Sequence, residues 1–108
     1  MEIEWLREAL IELAALPARE QTAIDRAVDK LRLDGAQLGS PHTSAVLGAS
    51  EALRELRPRA GRSPWRVFYR RVGSQLVMAS VGPEAQVDSR GFRSAVEIAI
   101  KRLRERES

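Results

Sequence analysis

The amino-acid sequence predicts a single α+β domain that spans residues 1–108. The spacing of apolar residues is helical before Ala52, changes there to the alternation typical of strands, and becomes helical again near Asp88. A chain of 108 residues with 44% hydrophobic content suits one domain with its own core. We expect two N-terminal helices, an antiparallel sheet of three to four strands, and a C-terminal helix on the same side of the sheet.

The first third of the chain has the pattern of a helical hairpin. Alternating acidic and apolar residues predict a short edge strand at residues 1–5. Pro17 separates the two helices, because proline ends one helix and suits the first turn of the next. Three glycines and a proline predict a loop at residues 35–51, with a turn of structure near 45–47. Two apolar stripes at helical spacing mark the helices: Leu6, Leu10 and Leu13, then Ile24, Val28 and Leu31.

Residues 52–71 combine a strand pattern with a cluster of arginines. Residues 53–57 and 65–70 alternate charged with apolar or aromatic side chains, which predicts two strands. A more continuous apolar run at 76–81 predicts a third strand after a Gly-Ser turn. Successive side chains of a strand point to opposite faces, so Glu55 and Arg57 share one face. The seven arginines of this stretch are Arg54, Arg57, Arg59, Arg62, Arg66, Arg70 and Arg71.

We expect the sheet face that carries these charges to remain open. Val67 and Tyr69 would face the core, and the row of Arg66 and Arg70 would face water or a ligand. Guanidinium groups match phosphate with paired hydrogen bonds, so such a face could bind phosphates. The alternative is a solvated, charged face that keeps the chain in solution.

The C-terminal helix has the clearest pattern. Asp88 or Ser89 can cap its N-terminus. Its apolar stripe is Phe92, Ala95, Val96, Ala99, Ile100 and Leu103. From all these patterns we expect a core that includes Leu10, Leu13, Ile24, Val28, Leu56, Val67, Tyr69, Val77 and Val96.

Composition narrows the classes of function. The chain has no cysteine, which rules out disulfides and thiolate metal sites, and its one histidine argues against a histidine metal cluster or a serine–histidine triad. We expect no metal and no cofactor. No apolar run approaches the roughly 20 residues that span a bilayer, and no signal peptide opens the sequence, so we expect a cytoplasmic protein without membrane partners.

The element order, with ELRPRAGRSPWRVFY followed by QLVMASVG, resembles the RelE/HigB superfamily of bacterial toxins from type II toxin–antitoxin systems. The chain is most similar to the phage-derived HigB-like branch. Residues 53–57, 65–69 and 80–82 carry the resemblance, together with a loop at 38–41. The resemblance covers about residues 20–82 well and the two ends by element order.

The resemblance implies a RelE-like ribonuclease that acts without metal on ribosome-bound mRNA and inhibits translation. It also implies an antitoxin partner with a helix-turn-helix domain. In such enzymes the 2′-hydroxyl attacks the adjacent phosphate while basic side chains stabilise the transition state. Arg57 and Arg66 match strand positions with that role, and Glu55 is the candidate base. The cations expected at flanking phosphates are Arg59, Arg62, Arg70 and Arg90.

The sequence departs from the family pattern after the third predicted strand. Relatives often carry basic residues and a tyrosine there, whereas this chain has two acids in residues 83–88 and then Phe92, which lacks the hydroxyl. Arg90 and Arg93 could replace the missing cations. A non-catalytic module of the same fold that binds a protein or nucleic acid therefore stays open, as does an unrelated basic α+β domain.

Overall fold

A computed structural model describes residues 1–49 and 52–107 of the chain. The described part forms one five-stranded mixed sheet with helices on both of its faces. The strands are β1 (Glu2–Trp5), β2 (Thr43–Ala45), β3 (Arg54–Leu56), β4 (Trp65–Val72) and β5 (Gln75–Pro83). The helices are α1 (Arg7–Ala14), α2 (Ala18–Asp34) and α3 (Ser89–Glu107), with 3₁₀ turns at Gly35–Gln37 and Pro58–Gly61.

The sheet has the order β1-β5-β4-β3-β2. A hairpin joins β4 to β5 through Gly73, whose φ of 62° suits a tight turn. All neighbours are antiparallel except β1, which runs parallel to β5. The expected antiparallel sheet of three to four strands is therefore corrected to five strands of mixed direction. Because β1 reaches the sheet through two helices rather than a hairpin, it can lie parallel to its neighbour.

Two hydrophobic cores lie on opposite faces of the sheet. On one face, α2 packs over Leu56, Val67 and Tyr69, as the alternation in 65–70 predicts. On the other face, α3 packs over Phe68 and Val77. The prediction that α3 shares a face with the first two helices is therefore wrong. The central strands carry apolar side chains on both faces, so each face needs a helical cover.

Most of the predicted core is confirmed, since Leu13, Ile24, Val28, Leu56, Val67, Tyr69 and Val77 are buried. Val96 is half-buried against α3's core, and the prediction for Leu10 is wrong, because this side chain is 45% exposed. Helix α1 buries Ala9 and Leu13 instead. Glu12 lies beside that line and accepts hydrogen bonds from the Val81 amide (3.0 Å) and from Arg102 (2.9 Å to Oε2). Because Leu10 and Glu12 are two positions apart, about 200° around the helix, Leu10 faces away from this contact and towards solvent.

The stretch predicted as loop contains the short strand β2. It pairs with β3 so that Ser44 lies opposite Glu55. Residues 50 and 51 of that stretch lie outside the described residues.

Strand β5 is longer than predicted, since it continues through Gly82 to Pro83 rather than ending at Val81. Of the two predicted caps of α3, Asp88 and Ser89, the structure selects Asp88, whose Oδ1 accepts a hydrogen bond from the Gly91 amide at 2.9 Å. Within residues 1–49 and 52–107, no helix is both long and apolar enough to cross a membrane.

Candidate functional site

The loop after β3 adopts an unusual backbone conformation that builds one wall of the site. Arg59, Ala60 and Gly61 all have positive φ, at 55°, 55° and 92°. This left-handed region is unfavourable for residues with a Cβ, so a run of them needs support from neighbouring structure. Glu20 of α2 supplies that support. Its carboxylate accepts two hydrogen bonds from Arg59 (2.9 and 3.1 Å) and one from Ser63 Oγ (2.9 Å), which fixes the loop to α2.

Glu55 is the centre of the charged cluster. Its side chain is 12% exposed, and its Oε1 accepts hydrogen bonds from Ser44 Oγ at 3.1 Å and from Arg57 Nη1 at 3.0 Å. The register of β2 and β3 places Ser44 beside Glu55, and Arg57 comes two positions after Glu55, which puts it on the same face. The predicted pairing of Glu55 with Arg57 is therefore present.

Arg66 is far more buried than an open sheet face would allow. It is 3% exposed, and it donates hydrogen bonds to the carbonyls of Ser63 (2.7 Å), Trp65 (2.9 Å) and Gly61 (3.3 Å). Its guanidinium also lies 3.9 Å from Glu55 Oε1. Burial lowers the pKa of Arg66, and the nearby positive charge of Arg57 lowers it further. The three carbonyls make Arg66 a structural anchor as well as a member of the cluster.

Glu55, Arg57 and Arg66 line a common cavity of about 460 Å³. Its wall also includes Ser44 and Glu84, two polar residues that were not among the predicted site residues. Glu84 Oε2 lies 3.9 Å from Arg66 Nη2. Counting the register of the β4–β5 hairpin would have found Glu84, because Arg66 pairs with Gly82. Ser44 could be found only by recognising β2.

Phe92 of α3 closes one side of this cavity. Its ring packs edge-on against the fully buried Phe68, with centroids 5.3 Å apart and planes at 73°. The segment between β5 and α3 places the Gln86 amide on the same wall. The cavity thus combines cations, carboxylates, an amide and an aromatic ring. Among the described residues, no three of the histidine, aspartate and glutamate side chains group closely enough to hold a metal ion.

The other predicted phosphate contacts lie outside this cavity. Arg59 is bound to Glu20, and Arg62 is exposed at the end of the same loop. Arg70 forms an ion pair with Glu107 near the end of α3, and it lies four residues along β4 from Arg66, a distance of about 13 Å. Arg90 is exposed on the first turn of α3. The prediction of one open arginine face is wrong, because α3 covers its middle at Phe68.

The sheet order, the helices on both faces and the charged end of the sheet define a RelE-like α+β fold. The structure is similar to a double arginine-to-alanine mutant of the E. coli toxin RelE in the free state, with a TM-score of 0.62 and 15% identity over 89% of this chain and 94% of that one. It is similar to the isolated E. coli RelE toxin with a TM-score of 0.59 and 15% identity over 86% and 96%.

The sequence places the chain in a family. The family described as phage-derived protein Gp49-like (DUF891) matches residues 11–104. The chain therefore belongs to the Gp49-like family, and the suspected resemblance to the phage-derived branch of the RelE-like proteins is confirmed. A comparison with curated proteins finds no significant sequence match.

Proposed function

We propose that this chain is the toxin of a type II toxin–antitoxin system and acts as a metal-independent endoribonuclease on ribosome-bound mRNA. The observation that carries the proposal is the meeting of Glu55, Arg57 and Arg66 in one cavity. Transfer of a phosphoryl group to the neighbouring 2′-hydroxyl requires a base for the hydroxyl proton and cations for the charge that develops at phosphate. The cluster contains both kinds of group.

Each residue of the cluster has a role in the proposed reaction. Glu55 takes the proton of the 2′-hydroxyl through Oε2, since the contacts described above all use Oε1. Arg57, whose side chain is 33% exposed, donates hydrogen bonds to the phosphate oxygens as negative charge accumulates there. Arg66, which three backbone carbonyls hold in place, contributes positive charge to the cavity. The bond from phosphorus to the 5′-oxygen breaks, water supplies the proton for that oxygen, and the products are a 2′,3′-cyclic phosphate and a 5′-hydroxyl.

Flanking nucleotides would extend from the cavity across the basic surface. Arg62 and Arg90 are exposed, so they can approach phosphates directly. Arg59 already pairs with Glu20, and Arg70 pairs with Glu107. If these arginines also bind RNA, each guanidinium is shared between a phosphate and its carboxylate. A helix-turn-helix antitoxin would neutralise this surface in the cytoplasm, because a basic surface attracts an acidic partner segment.

The test is inducible expression followed by assays of growth and mRNA cleavage. Expression of the wild-type chain should arrest growth, and translating ribosomes supplied with the purified chain should yield mRNA fragments with 5′-hydroxyl ends. The Glu55→Gln chain is the matched control, since it keeps the shape of the side chain and removes the base. Equal cleavage by both chains would contradict the assignment of the base. Absence of cleavage by a folded wild-type chain would contradict the nuclease function.

Two features favour a second function, a non-catalytic RelE-fold module that binds a protein or nucleic acid. Arg66 donates hydrogen bonds to three backbone carbonyls, which leaves fewer of its N–H groups for a phosphate. The segment after β5 also brings the carboxylate of Glu84 to the cavity, where basic residues would be needed to bind phosphate. Under this alternative the chain would bind RNA or a partner but would not cleave mRNA. It would also express without growth arrest.

A further inference from the structure

A second cavity lies on the other side of Arg57. This groove, of about 630 Å³, runs between α2 and the loop that follows β3. Its apolar lining residues are Ala23, Ala27, Leu56 and Ala60, and because Leu56 is fully buried, the accessible apolar surface of the floor comes from the alanines. Among the residues that the structure describes, no carboxylate lines it, and its walls carry six cationic side chains: Arg19, Arg26, Lys30, Arg57, Arg59 and Arg62. The groove is therefore a strongly basic channel with a hydrophobic base.

We propose that this groove binds an acidic amphipathic helix of the antitoxin, a location that rests on the proposed toxin function. Charge complementarity selects an anionic occupant. The floor then favours a peptide over RNA. Sites for single-stranded RNA stack the bases on aromatic rings. Among the described residues that line the groove, only His42 has a ring. Two alanines one turn apart leave space for an aliphatic side chain of a partner helix, as in helix-in-groove recognition.

The dimensions of the groove define the length of the segment. Its α2 wall extends from Arg19 to Lys30, about 16 Å along the helix axis. That length matches roughly three turns of a partner helix. The segment would carry leucine or isoleucine at helical spacing on one face and glutamate or aspartate on both flanks, where Arg26 and Arg62 lie on opposite walls of the groove.

Arg57 connects the groove to the proposed catalytic cavity. Its side chain lines both, and its Nε is buried without a hydrogen-bond partner among the described residues. A carboxylate that entered the groove could satisfy this donor after a small rotation of the side chain. The rotation would withdraw Arg57 from Glu55, so occupation of the groove would inactivate the cluster without entry of the partner into the catalytic cavity.

The test uses a labelled 14-residue peptide with leucines at helical spacing and glutamates on both flanks, and a scrambled peptide of the same composition. The variant carries Arg26→Glu and Lys30→Glu, two exposed groove residues outside the catalytic cluster. The matched control carries Arg7→Glu and Lys101→Glu, which make the same change in charge at exposed sites on α1 and α3. We expect the groove variant to bind the peptide at least about tenfold more weakly and the control to bind within about twofold of wild type.

Three outcomes would overturn the proposal: equal binding of the scrambled peptide, equal loss of peptide binding in both variants, or a loss confined to binding of a 12-nucleotide RNA. Thermal unfolding of each variant confirms that the fold is intact. Cleavage in the absence of peptide should remain near the wild-type rate in both variants. If the wild type does not cleave RNA but the peptide still binds through the groove, the nuclease proposal fails and the docking site stands. If the wild type cleaves RNA but the peptide does not bind through the groove, the docking site is contradicted and the nuclease proposal stands.

Discussion

Gly61 lies directly against the guanidinium of Arg57. A Cβ at position 61 would come within 2.9 Å of Arg57 Nη2 and 3.2 Å of Nε. The φ of Gly61 is +92°, a conformation that residues with a Cβ rarely adopt. Its carbonyl also accepts a hydrogen bond from Arg66 Nη2 at 3.3 Å. One glycine therefore sets the positions of both arginines of the cluster.

Gly61→Ala should displace Arg57 and reduce cleavage by about a hundredfold, the loss typical when a group that stabilises transition-state charge is misplaced. Gly48→Ala is the control, because Gly48 also has a positive φ, of 80°, and no atom lies within 4 Å of the added Cβ. Both variants should lose about 1 kcal/mol of stability from the backbone alone. Cleavage rates and thermal unfolding, measured on both proteins, separate the two effects. Equal activity of the two alanine variants would contradict the role of the Gly61–Arg57 contact.

Arg57→Ala and Arg66→Ala should differ in their effects, the first mainly on the cleavage rate and the second on the free energy of unfolding. Arg57 is partly exposed, so its loss should reduce cleavage about 10²–10³-fold with little change in melting temperature. Loss of Arg66 leaves three backbone carbonyls without that donor, and should cost about 3 kcal/mol of unfolding free energy or more. Urea unfolding and a cleavage assay check both statements. The exposed Arg71→Ala on the same strand is the control for stability, and an Arg66→Ala chain as stable as wild type would refute the anchoring role.

Glu55→Gln should reduce the cleavage rate by about 10²–10⁴ while RNA binding is retained, since general-base catalysis typically contributes that much. The amide keeps the volume of the side chain and can still accept a hydrogen bond from Ser44. Glu84→Gln removes the other carboxylate of the cavity, which lies 3.9 Å from Arg66 Nη2, and should have a smaller effect. Single-turnover cleavage with saturating RNA tests this order, and a larger loss from Glu84→Gln would reverse the assignment of the base.

Stability should fall in acid because two carboxylates are stabilised in their ionised form. Hydrogen bonds from Arg59 lower the pKa of Glu20, and hydrogen bonds from Arg106 lower the pKa of Glu4, both from an ordinary value of 4.5. Their contribution is complete above pH 4.5 and is lost as the pH falls towards the lower folded-state values. Unfolding free energies measured by urea between pH 3 and 6 should therefore decline below about pH 4.5. Glu20→Gln should flatten that decline, whereas the exposed Glu8→Gln should leave it unchanged.

Arg62→Ala and Arg90→Ala should each weaken RNA binding without a change in its sequence preference. Both side chains are exposed, and each lost phosphate contact should reduce the slope of log affinity against log salt by about 0.7 for single-stranded RNA. Titrations at several salt concentrations measure this slope. Arg59→Ala should instead lower the melting temperature, because Arg59 is bound to Glu20. An unchanged slope in both exposed variants would place the RNA elsewhere on the surface.

The central part of the site could be predicted because its geometry follows from two short-range rules. Alternation along a strand places Glu55 and Arg57 on one face, and an antiparallel neighbour brings Arg66 to the same face. The sequence could not show that three carbonyls surround Arg66, since those contacts depend on the left-handed loop. Strand β2 has only three residues, too few for a periodic pattern, and so the Ser44–Glu55 contact was missed.

The side of the sheet on which α3 packs was predicted wrongly for a different reason. Arginines dominate the residues around Phe68, so that face looked polar, although Phe68 itself is fully buried. Val77 and Ala79 on the neighbouring strand add to the same apolar patch. If Phe68, Val77 and Ala79 had been considered together as one patch across two strands, a helix over this face would have been predicted. Burial of these apolar side chains away from water is favourable, even in the middle of a charged row.

The parallel pairing of β1 with β5 has a consequence for the order in which the chain can fold. Residues 2–5 leave the ribosome before their partners at 75–78, which are synthesised about 70 residues later. At a synthesis rate of roughly 5–20 residues per second, β1 waits about 4–15 seconds for its neighbour. The ion pair between Glu4 and Arg106 forms later still. This edge of the sheet therefore closes only after β5 has been synthesised, and its closure depends on contacts between residues far apart in sequence, which form slowly.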